Sequence, residues 1–403
     1  MRNLLQGAFA LALLALAALV PTRSRAEMWC ADALWVHEWG VQVFGSGGAR
    51  RTSEAGPTLP GYFHAQAGAT SPSGSPVRHL PVDSGMRELP VVHFYAPTNW
   101  RPVPLGFEVG FTQGEATRWY PQVDVRRSGA DANGAAARTA RARLVAARSA
   151  RSNGTQTALP GDPRAQLGWD HLTLSERPAH PPASTSVPWV TRARGFDAAL
   201  WVDGATESER FLFYESQTRE TPALRITRGP TYGAGRRHVL LENTGAQPIH
   251  DVFLVHRERG RVFVLHAPTI PAGRHAGFVL EDHAVPAAQV AARTRAALRD
   301  RLVDAQQPAA PSSFEWRDCV MMRDPAIPFE AAEGHALYAQ EVDAILDAWG
   351  PRLFGRGNGT TVVYREDVAY LDEVMPLAVY SDMYHFARIR RLGLALMENA
   401  ALP

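Results

Sequence analysis

Short apolar segments separated by turn residues dominate the chain from residue 31 to about residue 285. Runs rich in Val, Phe, Tyr and Trp, such as VVHFYAP, LGFEVGF and RFLFYE, are broken by Gly, Pro and Asn. This pattern is typical of short β-strands joined by turns. The clearest pair is HDVFLVHRERGRVFVLHAP, two apolar runs about a polar turn, which predicts a hairpin. Several such strands at regular spacing predict an antiparallel β-sandwich.

The pattern becomes helical after residue 283. The segments AVPAAQVAARTRAALRDRLVDAQQ and GHALYAQEVDAILDAWG carry apolar residues at helical spacing, and Gly350 with Pro351 is expected to end the second helix. The segments TTVVYRE, VMPLAVY and ARIRRLGLALM then alternate like strands. We therefore predict a mainly-β chain, with an antiparallel β-sandwich over residues 27–285 and a smaller α+β unit over residues 286–403. The Ala- and Arg-rich stretch 126–168 is expected to be a surface insertion.

The first 26 residues have the features of a secretory signal peptide. Arg2 precedes an apolar run over residues 8–20, and small residues lead to a cleavage site after Ala26. The run is shorter than the roughly 20 residues that a membrane-spanning helix needs, and no later segment is long enough. We expect an exported, soluble protein of the periplasm or the extracellular medium.

Composition narrows the classes of partner. The net charge is +2, which gives no general case for binding nucleic acid or an anionic membrane. All 42 basic residues are arginine, a bias that we attribute to GC-rich codons, so arginine runs are weak indications of function. The two cysteines, Cys30 and Cys319, are expected to form a disulfide in an oxidising compartment; the alternative is two separate thiols.

The segment LWVHEWGVQVF places an imidazole beside a carboxylate at His37 and Glu38. Side chains alternate along a strand, so Trp35, His37 and Trp39 are predicted on one face and Glu38 on the other. One interpretation is structural: a histidine packed between indoles and a glutamate paired with an arginine. The other is catalytic, with Gly40 permitting a β-bulge that re-aims the two side chains.

Two further histidines and one aromatic pair are candidates for a site. His93 and His171 could join His37 in binding zinc or another divalent metal, with Glu38 as ligand or general base. Trp119 and Tyr120 could stack on a sugar if both are exposed on a flat face. The hairpin histidines, His250, His256 and His266, are interpreted as exposed residues of an edge. No nucleophile elbow, P-loop or dinucleotide fingerprint occurs.

Several stretches of the chain together resemble a group of exported bacterial proteins that open on His-Glu-Trp-Gly and have no known activity. This chain departs from the group at Val41, Gln42 and Val43, where the others have Thr-Phe-Thr, and at His93, where an aliphatic or aromatic residue is usual. The resemblance implies a shared fold over most of the mature chain without implying a reaction. The stretches that carry it are HEWG (37–40), PVVHFYAP (90–97), RWYPQ (118–122), RFLFYE (210–215), LYAQEVDAILDAW (337–349) and MPL (375–377) followed by Arg390.

The leading hypothesis from the sequence is a non-enzymatic binding or structural module of the bacterial envelope, with a protein or a glycan as partner. No group of residues has a spacing that is diagnostic of catalysis. The alternative is a metal-dependent hydrolase built around His37 and Glu38. A general base must reach its proton or water, so the two hypotheses differ in whether these side chains meet another histidine at an open cleft.

Overall fold

A computed structural model of the chain describes residues 34–44, 57–66, 85–96, 102–127, 165–230, 236–307, 309, 332–354, 358–381 and 387–402. The strands are β1 (Leu34–Phe44), β2 (His64–Ala65), β3 (Gly85–Tyr95), β4 (Val103–Phe111), β5 (Gly114–Tyr120), β6 (Val125–Arg127), β7 (Ala165–Ser175), β8 (Trp201–Asp203), β9 (Ser208–Glu209), β10 (Leu212–Thr218), β11 (Leu224–Arg228), β12 (His238–Asn243), β13 (Ile249–Glu258), β14 (Arg261–Ile270), β15 (His275–Val279), β16 (Ala284–Val285), β17 (Gly359–Glu366), β18 (Leu377–Tyr380) and β19 (Ala387–Glu398). The α-helices are α1 (Pro188–Arg194), α2 (Val290–Leu302), α3 (Ala339–Leu353) and α4 (Val368–Val374), and short 3₁₀ turns cover Leu280–His283 and Ala287–Gln289.

The largest sheet has ten strands in the order β16-β14-β13-β17-β19-β1-β3-β10-β5-β2. Strand β1 lies in its centre, parallel to β19 and antiparallel to β3. Two smaller sheets, β18-β4-β7-β8-β9 with β6 beside β7, and β11-β12-β15, contain the other strands of the described residues. Strands β17 and β19, which follow residue 285, are inserted between β13 and β1, and β18 pairs with β4, so the strands after residue 285 share sheets with the strands before it.

Three layers of structure enclose the core. On one face of the large sheet, the apolar side chains of β1, β3 and β10 pack against β4 and β7, while those of β13, β14 and β17 pack against β11 and β12. On the opposite face, Trp39, Val41 and Val43 pack against the helices α1, α2 and α3. The large sheet is thus covered by strands on one side and by helices on the other.

The mainly-β class with large antiparallel sheets is confirmed. The predicted hairpin is β13 and β14, joined by Arg259 and Gly260, both of which have positive φ, as a two-residue turn between twisted strands requires. The predicted end of the second helix at Gly350 is wrong, because α3 continues through Pro351 to Leu353. The predicted signal peptide lies outside the described residues, as does the insertion except at its two ends.

Candidate functional site

The alternation of side chains along β1 separates His37 from Glu38. His37 faces the helical layer and Glu38 faces the strand layer, and both are buried. The sequence predicted this separation from strand periodicity. Consecutive residues on opposite faces of a sheet cannot act on one substrate or one metal ion together.

The predicted bulge is present at Gly40, but it lies in the partner strand. Leu89 and Pro90 of β3 together oppose Gly40, and Leu89 has a positive φ of 53°. A Cβ atom at position 40 would lie 3.1 Å from the Cα of Pro90, so glycine makes room for the extra residue. Because β1 itself stays regular, the bulge does not bring the two side chains onto one face.

Glu341 of α3 is the partner of His37. Its Oε2 accepts hydrogen bonds from Nδ1 of His37 (2.8 Å) and from the backbone N–H of Tyr338 (3.0 Å), and its Oε1 accepts one from the hydroxyl of Tyr95 (2.9 Å). Burial alone would raise the pKa of Glu341, but His37 and His93 lower it below its usual value. One carboxylate therefore caps the first turn of α3, where negative charge is favourable, and fixes the helix to the sheet.

His93 lies directly opposite His37 on β3 and belongs to the same buried cluster. Its Nδ1 is 3.7 Å from Oε1 of Glu341, beyond hydrogen-bonding distance, and the rings of Phe196 and Phe211 pack against it. Burial lowers the pKa of His93 to about 4, against the opposing effect of Glu341. His93 is therefore neutral near pH 7.

Glu38 is bound by two residues of the strand-covered side. Its Oε2 accepts a hydrogen bond from Nε of Arg391 and its Oε1 accepts one from the hydroxyl of Tyr214. Arg391 also donates to Asp372 of α4 (2.9 Å). Burial would lower the pKa of Arg391, but Glu38 and Asp372 raise it, so the guanidinium stays charged.

A second buried arginine, Arg87, forms ion pairs on the same face of the large sheet as Glu38 and Arg391. Arg87 of β3 donates to Glu220 through Nε (2.9 Å) and to Glu366 through Nη1 (2.8 Å), and the hydroxyl of Tyr370 donates to Glu220 (2.7 Å). Charged residues of β17, β19, β1 and β3, four adjacent strands, thus lie between the two apolar clusters of the strand-covered side. A buried network of this kind is costly to break at one member, because the remaining charges lose their partners.

The other predicted site residues are not assembled with His37. His171 is exposed on β7, in a different sheet, with its backbone N–H donating to Asp124. Trp119 and Tyr120 are both buried, in apolar clusters on opposite sides of the large sheet, so they do not form the exposed flat face that sugar stacking requires. Cys30 and Cys319 lie outside the described residues. Within the described ranges, no three His, Cys, Asp or Glu residues are arranged to hold a metal ion.

The interpretation of the hairpin histidines as exposed edge residues is wrong: His256 is buried, and His250 and His266 are half-buried. Strand β13 is internal, paired with β14 on one side and β17 on the other, so His256 is only 9% exposed. His250 is bonded to Asp367 (3.0 Å), and the ring of His266 stacks on Phe253. The even-numbered turn places His266 opposite Phe253, away from the face that carries His256.

Sequence reasoning missed Glu341 and Arg391, the partners of His37 and Glu38. A signal for Glu341 exists in the chain: it lies three residues after Tyr338 and four before Ile345, on the apolar stripe of its helix. An acidic residue in such a stripe indicates a buried partner. Arg391 has no equivalent signal, since Arg388 and Arg390 precede it in the same strand.

No protein-family model and no curated protein sequence matches the chain. Among solved structures, the chain is similar to a Fcho1 Mu homology domain from Danio rerio with bound Eps15 peptide, with 8% identity, a TM-score of 0.31, and coverage of 93% of this chain and 99% of that one. It is also similar to a yeast delta-COP-I mu-homology domain complexed with a Dsl1 WxWxV peptide, with 8% identity, a TM-score of 0.27, and coverage of 91% and 95%. At these scores the likeness carries no information on what this chain binds.

Within the described residues, no helix is both long and apolar enough to cross a membrane.

Proposed function

We propose that this chain is a non-enzymatic module that is exported from the cytoplasm and binds a partner in the envelope or outside the cell. The observation that carries the proposal is the burial of His37 and Glu38: His37 is bound by Glu341 of helix α3, and Glu38 by Arg391 and Tyr214 of its own sheet. His37 links the sheet to helix α3, and Glu38 binds Arg391 of the neighbouring strand, which in turn binds Asp372 of α4. The predicted signal peptide over residues 1–26 supports the export of the chain.

A metal-dependent hydrolase is the second candidate, and one observation favours it. His37 and His93 both lie near the carboxylate of Glu341, and histidine and carboxylate are residue types that bind zinc, although the three side chains are not arranged to hold a metal ion. Against it, none of these three side chains has exposed surface, and Glu341 already accepts three hydrogen bonds. A hydrolytic site needs an open position for water and substrate, and Glu38 lies on the opposite face of the sheet.

Metal content distinguishes the two candidates. The full chain would be purified without an affinity tag from the periplasm, and its metals measured by mass spectrometry beside the variant His93→Phe. We expect less than one-tenth of a metal ion per chain in both proteins, an order-of-magnitude threshold for an unmetallated chain. One zinc or other transition metal per wild-type chain, lost in a variant that still folds, would support the hydrolase instead.

Binding is tested by photo-crosslinking in intact cells. A photoreactive amino acid is placed in turn at Arg225, Arg259 and Ala272, three exposed positions on different loops and strands. A repeated adduct with the same polypeptide or glycan from one of these positions supports a binding module. The absence of a specific adduct at all three would contradict it.

A further inference from the structure

A cleft of about 340 Å³ opens where the three-stranded sheet meets the end of the large sheet. Its apolar walls are Val239, Leu280 and Leu402, which belong to or pack against the core between these two sheets. This volume is at the lower end of the range for small-molecule sites. The cleft is therefore large enough for one side chain or a small ligand and too small for a large cofactor.

Two hydrogen-bonding side chains at the end of β13 face this cleft. His256 is bonded through Nδ1 to the hydroxyl of Thr360 (2.9 Å), while its buried Nε2 has no hydrogen-bond partner among the described residues. Oε2 of Glu258 lies 3.5 Å from that Nε2. A buried polar atom without a partner is uncommon, and here it borders an open volume.

Negative charge exceeds positive charge around Arg237 at the edge of the cleft. Arg237 is held by Glu258 (2.6 Å) and by Glu281 (2.8 Å), so two carboxylates surround one guanidinium. The hydrogen bond from Arg237 lowers the pKa of Glu258. Burial would raise the pKa of Glu281, but its hydrogen bond with Arg237 lowers that pKa below its usual value. Both carboxylates are ionised near pH 7, and the group has a net charge of about −1. Such a site attracts a cation.

We infer that this cleft binds a primary ammonium group on an aliphatic chain, either a lysine side chain of a partner or a small aliphatic amine. The inference rests on the proposed binding function. The ammonium donates to Oε2 of Glu258 and to Nε2 of His256, which accepts when Nδ1 carries the proton and donates to Thr360. The aliphatic part contacts Leu280 and Leu402. This chain contains no lysine, so none of its own side chains supplies the ammonium.

The first test compares ligands on the wild-type chain. Pentylamine, 1-pentanol and pentanoate have similar apolar parts and differ in charge, and their binding is measured by calorimetry and by ligand-detected NMR. We expect pentylamine to bind at least tenfold more tightly than either of the others. Equal binding of pentylamine and pentanol, no binding of pentylamine, or a preference for Zn²⁺ over the amine would overturn the inference.

The second test uses a matched pair of variants. Glu258→Gln and Glu281→Gln each remove one negative charge and one partner of Arg237, but only Glu258 lines the cleft. We expect Glu258→Gln to weaken pentylamine binding at least tenfold and Glu281→Gln to weaken it less than threefold. An equal loss in both variants would show a general charge effect and overturn the site. Thermal unfolding of each variant shows that it is folded.

The third test separates the two sources of the amine. Nα-acetyl-lysine methylamide represents the lysine of a partner, and its Nε-acetylated form is the control. Binding of the first as tight as that of pentylamine, abolished by Nε-acetylation, supports a lysine; binding of pentylamine alone supports a free amine. If no amine binds while photo-crosslinking still captures a partner, the ligand assignment fails and the proposed function stands.

Discussion

His37 and Glu38 are consecutive in the chain, yet their side chains bind partners on opposite faces of the central sheet. His37 is bonded to Glu341 on α3, and Glu38 is bonded to Arg391 on the neighbouring strand β19. The opposite orientation of these neighbours follows from the two-residue period of a strand that is buried on both faces. His37 therefore joins the sheet to the helical layer, Glu38 joins two adjacent strands, and the pair does not form one reactive site.

The anchoring role of Glu341 predicts a large difference between two acids of one helix. Glu341→Gln leaves His37 without its carboxylate and weakens the cap of α3, and we expect a loss of about 3 kcal/mol in the free energy of unfolding. Asp343→Asn removes only partly exposed pairs with Arg299 and Arg295, and we expect a loss below about 1 kcal/mol. Urea unfolding measures both. Equal losses would contradict a special role for Glu341.

The depressed pKa of His93 predicts acid sensitivity. The unfolded chain takes up a proton on this residue near its ordinary pKa of 6.5, whereas the folded protein does so only near 4. The unfolded state binds more protons in this window, so the free energy of unfolding falls as the pH is lowered from about 6.5 to about 4, by up to about 3 kcal/mol.

The variant His93→Phe tests this pH dependence, because phenylalanine suits the aromatic surroundings and cannot titrate. We expect its free energy of unfolding to depend less on pH between 6.5 and 4 than that of the wild type. His171→Gln, at an exposed position, is the control and is expected to keep the wild-type dependence. Unfolding by urea at a series of pH values provides the measurement, and an unchanged dependence in His93→Phe would refute the prediction.

The close packing at Gly393 predicts that even one methyl group is destabilising there. A Cβ atom at this position would lie 2.6 Å from Oε2 of Glu366 and 2.8 Å from Cδ2 of Leu371. We expect Gly393→Ala to lower the free energy of unfolding by about 1 to 3 kcal/mol. Gly61→Ala is the control, because nothing lies within 4 Å of its added atom. Thermal unfolding of both variants should show a lower midpoint for Gly393→Ala alone.

The sequence predicted the features that depend on local periodicity. The opposite orientation of His37 and Glu38, the hairpin of β13 and β14, and the helical face of α2 that carries Val290, Leu298 and Leu302 follow from patterns of two or 3.6 residues. The structural interpretation of the HEWG segment also predicts an arginine partner for Glu38. These features need only neighbouring residues.

The sequence did not predict the contacts between distant segments. Glu341 is separated from His37 by 304 residues, and the parallel pairing of β1 with β19 joins the two ends of the described chain. The helix pattern identified α3 without indicating which strand it covers. The position of β13 inside the sheet, which buries His256, depends on the insertion of β17 beside it and has no local signal.

The most direct test of the account is a set of double-mutant cycles on the free energy of unfolding. We expect coupling of at least about 1 kcal/mol between His37 and Glu341 and between Glu38 and Arg391, and less than about 0.5 kcal/mol between His37 and Glu38. The variants are His37→Phe, Glu341→Gln, Glu38→Gln and Arg391→Met, singly and in these pairs. Strong coupling between His37 and Glu38, with little coupling to Glu341 or Arg391, would show that the two residues form one site and would contradict the account.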